Sequence, residues 1–171
     1  MFPNHDEHLR DWKANAERED EKNYRFLRSL KVLVDGDRVD AVARRLHERA
    51  FSHLDCTQCA NCCKTMRVAL TDEDIVRIAE HLAMNRAEFI STYLEEDAQE
   101  RGYRIKQSPC VFLGEDNRCT IYSVRPMDCQ DFPNTNKEGF TFRTHAHAAN
   151  CVNCPAVYYI VKRMRKHFKR S

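Results

Sequence analysis

Cys56-Thr57-Gln58-Cys59-Ala60-Asn61-Cys62-Cys63 is the stretch that decides how this chain folds. Two residues between cysteines let a tight turn aim both sulfurs at one metal centre, the spacing used by zinc knuckles and by iron–sulfur loops. Three sulfurs at C-x2-C-x2-C can serve three corners of a four-iron cube. In bacterial ferredoxins a further cysteine precedes a proline; here the Cys-Pro pair is Cys154-Pro155, far downstream. Cys63 follows Cys62 directly. Adjacent side chains of an extended loop point apart, so the pair is expected to divide between two neighbouring sites or to serve one multinuclear site.

Outward from this run lie Cys110, Cys119, Cys129, Cys151 and Cys154. Val111-Phe112-Leu113 and Thr120-Ile121-Tyr122 flank Gly114-Glu115-Asp116-Asn117 and read as a β-hairpin, which would bring Cys110 and Cys119 together. The candidate metal ligands are therefore Cys56, Cys59, Cys62, Cys63, Cys110, Cys119, Cys129, Cys154 and Cys151. Eight of these could fill two four-cysteine sites, leaving Cys151 or Cys154 over. Cys154 is the preferred ligand, because it opens a helix whose N-terminal dipole stabilises a thiolate. His145 and His147 are weaker candidates, read first as exposed polar residues.

Cys56-x-x-Cys59-x-x-Cys62-Cys63, Cys110-Val-Phe-Leu113, Cys119 through Arg125-Pro126 to Cys129, and Phe132-Pro133 together resemble the family named for its CxxCxxCC motif, also called the YkgJ family. The resemblance covers roughly residues 54 to 160 and implies a zinc- or iron-chelating domain. It extends to part of the flagellin lysine N-methylases, which implies a second class of function, cluster-dependent protein modification. The family often places arginine after the cysteine at 129, where this chain has Gln130. Arg125 could offset thiolate charge or hold a carboxylate; a role in starting a helix fits equally.

The cysteine-free N-terminal region is helical in pattern. From Leu9 to Leu33 a heptad-like stripe of Leu9, Trp12, Ala16, Phe26, Leu30 and Leu33, broken by Glu19 and Asn23, predicts one long amphipathic helix. Asp35-Gly36-Asp37 marks a turn. Val39, Val42, Ala43, Leu46, Ala50 and Leu54 line a second helix, completing a helical hairpin. Its apolar stripe is expected to pack within the chain, with a protein partner as the alternative.

Met66–Leu70 suggests a short strand, and Thr71 and Asn85 suggest helix N-caps. Phe89, Ile90, Tyr93 and Leu94 are the apolar residues of the second of those helices. Tyr103–Lys106 alternates like a strand, a short helical piece ends near Cys129, and Phe140-Thr141-Phe142 suggests one more strand. Pro155 begins a final amphipathic helix. The expected fold is α+β: a mainly helical small domain with a short β-hairpin, organised around cysteine-ligated metal over 55–171, preceded by a helical hairpin over 1–54.

Composition narrows the function. Charged residues make up 32% and hydrophobic ones 42%, so the core is modest and metal would contribute much of the folding free energy. Only 4 glycines are present, with no glycine-rich phosphate loop, dinucleotide fingerprint or methyl-donor site. Ser-His-Asp and C-x3-C-x2-C patterns are also absent. No run approaches the ~20 apolar residues of a membrane span, and Met1–His8 lacks the pattern of a secretory signal. A cytoplasmic location is expected, where clustered cysteines bind metal more often than they form disulfides.

Lys162, Arg163, Arg165, Lys166, Lys169 and Arg170 make the last helix basic. Nucleic-acid binding through it, with Tyr158, Tyr159 and Phe168 stacking on bases, is the third class of function. The helical spacing of those aromatics speaks for a core instead. The compact three-cysteine loop favours an iron–sulfur cluster over zinc. A site closed by four thiolates leaves no open position, so it would be structural or carry electrons rather than act as a Lewis acid.

Overall fold

A computed structural model describes residues 5–97 and 102–169. In chain order the elements are α1 (His5–Asn15), α2 (Asp20–Leu33), α3 (Gly36–Phe51), α4 (Cys56–Cys59), α5 (Asn61–Thr65), β1 (Ala69–Leu70), α6 (Asp72–His81), α7 (Arg86–Tyr93), β2 (Leu94–Asp97), β3 (Gly102–Ile105), α8 (Met127–Asp131), α9 (Thr144–Asn153) and α10 (Pro155–Phe168). The chain is thus mainly helical with a small antiparallel sheet of order β1-β3-β2. Among the described residues no helix is long and apolar enough to cross a membrane.

Contacts group the chain into two compact units. One joins the helices before Asp55 to those after Pro133, and the other spans Cys56–Phe132. The C-terminal helices, which the sequence reading placed in the cysteine domain, therefore pack with the N-terminal ones.

In the first unit α10 is the hub. Ala156 through Val161 and Met164 are all buried, because α1, α2, α3 and α9 each pack against it. The long helix expected over residues 9–33 is two helices, α1 and α2, interrupted between Asn15 and Asp20. The interruption lets Trp12, Ala16 and Tyr158 form one cluster while Leu27 and Leu30 are buried elsewhere on α2. Polar ties fix the arrangement. Trp12 donates through Nε1 to the Cys151 carbonyl at 3.0 Å, and His8 Nε2 lies 2.8 Å from the Pro155 carbonyl. The Asp40 carboxylate accepts from the backbone N–H groups of Gly139 and Phe140 at 2.7 and 2.9 Å. Phe140–Arg143 is a 3-10 turn, not the strand expected for Phe140-Thr141-Phe142. The Asp40 caps hold its start, and Phe140 turns inward onto His147.

The basic last helix is partly spent on this packing. Lys162 pairs with Asp11 at 2.6 Å and Arg165 with Glu19 at 2.5 Å. Arg163 lies over the Tyr159 ring. Tyr158 and Tyr159 are buried, so they pack in the core and are not offered to nucleic acid. Arg170 lies outside the described residues.

In the second unit the local signals act as their chemistry dictates. Thr71 caps α6 in a full capping box with Asp74, and the Asn85 side chain accepts from the Glu88 N–H to open α7. β3 pairs with β1 through Ala69↔Arg104 and with β2 through Leu94↔Ile105 and Glu95↔Arg104. Leu70, Ile75, Ile78, Phe89, Leu94 and Ile105 form the core with Phe112 and Ile121. The hairpin expected over 111–122 contracts to a single bridge, Leu113↔Cys119, and Tyr122–Val124 turns into a 3-10 helix.

Candidate metal centre

Seven of the nine cysteines fall in the second unit. Cys56 is exposed, while Cys59, Cys62, Cys63, Cys110, Cys119 and Cys129 are half-buried. The CxxCxxCC run folds as two short helical turns, α4 and α5, joined at Ala60. Ala60 is buried with φ 48° and ψ 21°, a left-handed conformation uncommon for a side chain with a Cβ. The Ala60 N–H bonds to the Cys56 carbonyl at 2.7 Å, and the Lys64 N–H bonds to the Ala60 carbonyl at 3.0 Å.

Cys62 and Cys63 therefore sit on a helical turn, not in an extended loop, and the expectation that they point apart loses its premise. Their sulfurs are 4.0 Å apart. Two thiolates on one tetrahedral ion with metal–sulfur bonds of ~2.3 Å would be about 3.8 Å apart.

The next segment is strapped directly to this turn. The Cys110 N–H bonds to the Cys63 carbonyl at 2.8 Å, and Ser108 Oγ donates to the Lys64 carbonyl at 2.8 Å. Phe112 anchors the strap in the core, 5.2 Å from the Tyr93 ring. The Leu113↔Cys119 bridge then brings the chain back. At both cysteines of this loop the backbone N–H two residues on, Phe112 for Cys110 and Ile121 for Cys119, points to the sulfur and favours the thiolate. Burial works the other way and leaves both thiols above their ordinary pKa.

Electrostatics place four cysteines within range of one another. Cys63 acts on Cys110, Cys119 and Cys129, and Cys129 also feels Cys110 and Cys119. Cys63 is raised first by its hydrogen bond with Cys62 and then by burial. Burial pushes Cys129 up to about 12. As thiols these groups tolerate their surroundings; as thiolates without a cation they would repel one another. Among the described residues no three His, Cys, Asp or Glu side chains are arranged to hold a metal ion as they stand. The donor set nevertheless fits zinc or iron in its chemistry, since clustered soft thiolates select these metals.

One positioning residue escaped the sequence reading. The residue is Asp74, three positions after the N-cap Thr71. In the fold it is almost wholly buried, accepts from the Thr71 N–H at 3.2 Å, and pairs with Arg77 at 2.6 Å. It also accepts from the N–H of Met127, the first residue of α8, at 3.1 Å. Arg77 adds a bond to the Arg125 carbonyl at 3.1 Å. The pair thereby sets the turn that presents Cys129. Arg125 itself stacks on Tyr122 with its guanidinium carbon 3.9 Å from the ring centre, and Gln130 donates to the Arg125 carbonyl at 2.8 Å. The T-x-x-D spacing from Thr71 marks Asp74 as the capping-box acid and sets it apart from Asp72, whose partner is the exposed Arg86; its bond to the Met127 N–H depends on the fold.

Cys151 and Cys154 belong to the first unit, and both are buried. Burial drives the Cys151 pKa up, with Cys154 nearby adding to the shift. Cys154 ends α9 and precedes Pro155 at the start of α10, the position expected from the sequence. His147 is not the exposed polar residue expected. It is buried, stacked 4.1 Å from the Phe140 ring, and neither ring nitrogen has a hydrogen-bond partner among the described residues. Burial lowers its pKa to about 4.

The family model described as CxxCxxCC, "Putative zinc- or iron-chelating domain", matches residues 55–155. The chain belongs to this metal-chelating family. No solved structure matches it significantly.

Proposed function

We propose that the chain holds zinc through thiolates of the Cys56–Phe132 unit, as a centre that ties the fold together. The observation that carries this reading is the 4.0 Å separation of Cys62 and Cys63 sulfurs on one helical turn. It suits two ligands of one tetrahedral metal atom. Cys110 and Cys119, each with a backbone N–H directed at its sulfur, are the proposed partners. Cys56, Cys59 and Cys129 are proposed for a neighbouring position within the same unit; Cys154, in the first unit, is kept as a separate ligand candidate. Cys151, sealed in the apolar core, is assigned to packing.

Bound zinc supplies the positive charge that lets several thiolates share a partly buried region. The protein's own contributions are separate. The Cys63–Cys110 backbone bond fixes the spacing of two loops, the Phe112 and Ile121 N–H groups favour ionised sulfur, and Asp74 holds the turn before Cys129. Four thiolates around one metal leave no coordination position for a substrate, which supports a structural role over Lewis-acid chemistry.

The second reading is an iron–sulfur cluster carrying electrons, favoured by the C-x2-C-x2-C spacing of Cys56, Cys59 and Cys62. Metal analysis and absorption spectra of anaerobically purified protein separate the two. Zinc at whole-number stoichiometry in a colourless protein supports the first reading. Iron and sulfide with absorption near ~400 nm replace it with the second. Serine at Cys62 or Cys63 should remove metal under either reading; full retention in both variants would refute thiolate binding at this turn.

A further inference from the structure

A cavity of about 760 Å³ opens in the first unit, between α2, the turn after it and the end of α10. This is the size of a small-molecule site. Its floor is apolar: Phe26, Leu30, Leu33, Val34 and Phe168. Its charge is one-sided. Arg18, Lys22, Arg25, Arg38, Arg165 and Lys169 line it with Glu21 and Asp35; Arg25 pairs with Glu21 and Arg165 with Glu19, which leaves the lining net positive.

Two details show that this is more than a solvated basic face. The Arg165 side chain is only 7% exposed, and while its Nη2 bonds to Glu19, its Nη1 is buried with no hydrogen-bond partner among the described residues. Glu19 answers the charge, but one buried donor is left unspent, which costs free energy until an acceptor meets it. Leu33, which lines the cavity, is 76% exposed. It is an apolar side chain left in water where an apolar ligand would cover it.

We infer that this cavity binds an amphiphilic phosphate, an alkyl or isoprenoid chain carrying a phosphate head. The cationic surplus and the planar arginine forks suit a doubly charged phosphate better than a carboxylate. The apolar floor has no side-chain donor with which to read a nucleobase; the Ser29 hydroxyl gives its proton to the Phe26 carbonyl at 2.7 Å. The body of the ligand is therefore a hydrocarbon chain, laid on Leu30, Leu33 and the two phenylalanines. The inference is independent of the metal reading, because no proposed metal ligand lines the cavity.

Calorimetric titration of the full-length, metal-loaded protein tests it with four probes: octyl phosphate, inorganic phosphate, octyl glucoside and vesicles containing phosphatidic acid. Octyl phosphate should bind saturably at one site, with inorganic phosphate and octyl glucoside at least about tenfold weaker. Lys22→Glu combined with Lys169→Glu, two exposed positions that leave Arg165 in place, should weaken octyl phosphate about tenfold and remove most of its salt dependence. Leu33→Gln should weaken octyl phosphate several-fold without changing inorganic phosphate. Vesicle binding that these variants abolish would assign the same chemistry to a membrane-borne phosphate, while binding of the free ester alone assigns it to a soluble one. Absence of saturable binding to either form overturns the inference. So does glucoside or inorganic phosphate binding as tightly as the ester, or a charge-reversed variant that binds undiminished.

Discussion

Leu27, Val39, Phe140, Val157, Ile160 and Met164 of the first unit are wholly or almost wholly sealed from solvent, whereas no cysteine of the second unit is. The first unit closes a core around α10 and ties it with cross-helix pairs such as Arg165–Glu19. The second has a smaller core, very short strands, and seven thiols at its half-exposed margin. The difference teaches where the stability of each should come from. Apolar burial suffices for the first, at about 25 cal/mol for each Å² buried. In the second, segments 56–65 and 108–119 meet through the Cys110–Cys63 backbone bond and the Ser108–Lys64 bond, 125–131 is held by the Asp74 and Arg77 side chains, and thiolate–metal bonds would supply the rest.

The strongest way to break this contrast is to remove the metal's anchor. Cys62→Ser with Cys63→Ser should release metal and cost the second unit several kcal/mol, on the order of its whole stability. Trp12, the only tryptophan and a buried residue of the first unit, should keep its fluorescence maximum. Conversely, Leu27→Ala should destabilise the first unit by roughly 2–5 kcal/mol, seen in the denaturant midpoint of Trp12 fluorescence, while the bound metal per chain stays unchanged.

Acid sharpens the contrast further. His147 is held neutral in the fold, with its pKa lowered by burial to about 4 from the ordinary 6.5. The unfolded chain binds a proton there as pH falls through 6.5, and the folded chain does so only near 4. Stability of the first unit should therefore decline across that window, by at most about 3 kcal/mol. His147→Phe should flatten the decline in Trp12-monitored unfolding between pH 6.5 and 4; an unaltered slope would remove His147 as its cause.

Smaller effects test the supports of the cysteine loops. Asp74→Ala leaves the Met127 N–H without its side-chain acceptor and Arg77 without its carboxylate. It should cost about 1–3 kcal/mol and lower metal affinity measured by chelator competition. Ala60→Gly relieves a left-handed residue and should change stability by no more than about 1 kcal/mol, in the stabilising direction. A loss larger than that would show that the Ala60 methyl packs in a way its φ alone does not reveal.

What could be read from the sequence was local chemistry. Thr71 and Asn85 announce helix starts because a side-chain oxygen three residues before an amide is sufficient cause. The cysteine spacing announces a chelating domain for a similar reason. What stayed hidden depended on distant partners. Leu94-Glu95-Glu96-Asp97 has poor strand propensity, and it pairs with β3 because Arg104 faces Glu95 and lies 3.5 Å from Asp97. The heptad-like stripe over residues 9–33 concealed a break between Asn15 and Asp20, because its register alone does not show that α1 and α2 pack on α10 as separate helices. The C-terminal helices looked contiguous with the cysteine domain because only long-range packing assigns them to the first unit. The spacing of Cys62 and Cys63 suggests an extended loop, whereas the chain makes a helical turn there.

Amide hydrogen exchange before and after chelation tests the central contrast most directly. Removing the metal should strip protection from β2, β3 and α6 by about a hundredfold or more, while α10 keeps its protection. Unchanged protection of β2, β3 and α6 in demonstrably metal-free protein would contradict the account, and so would an equal loss in α10.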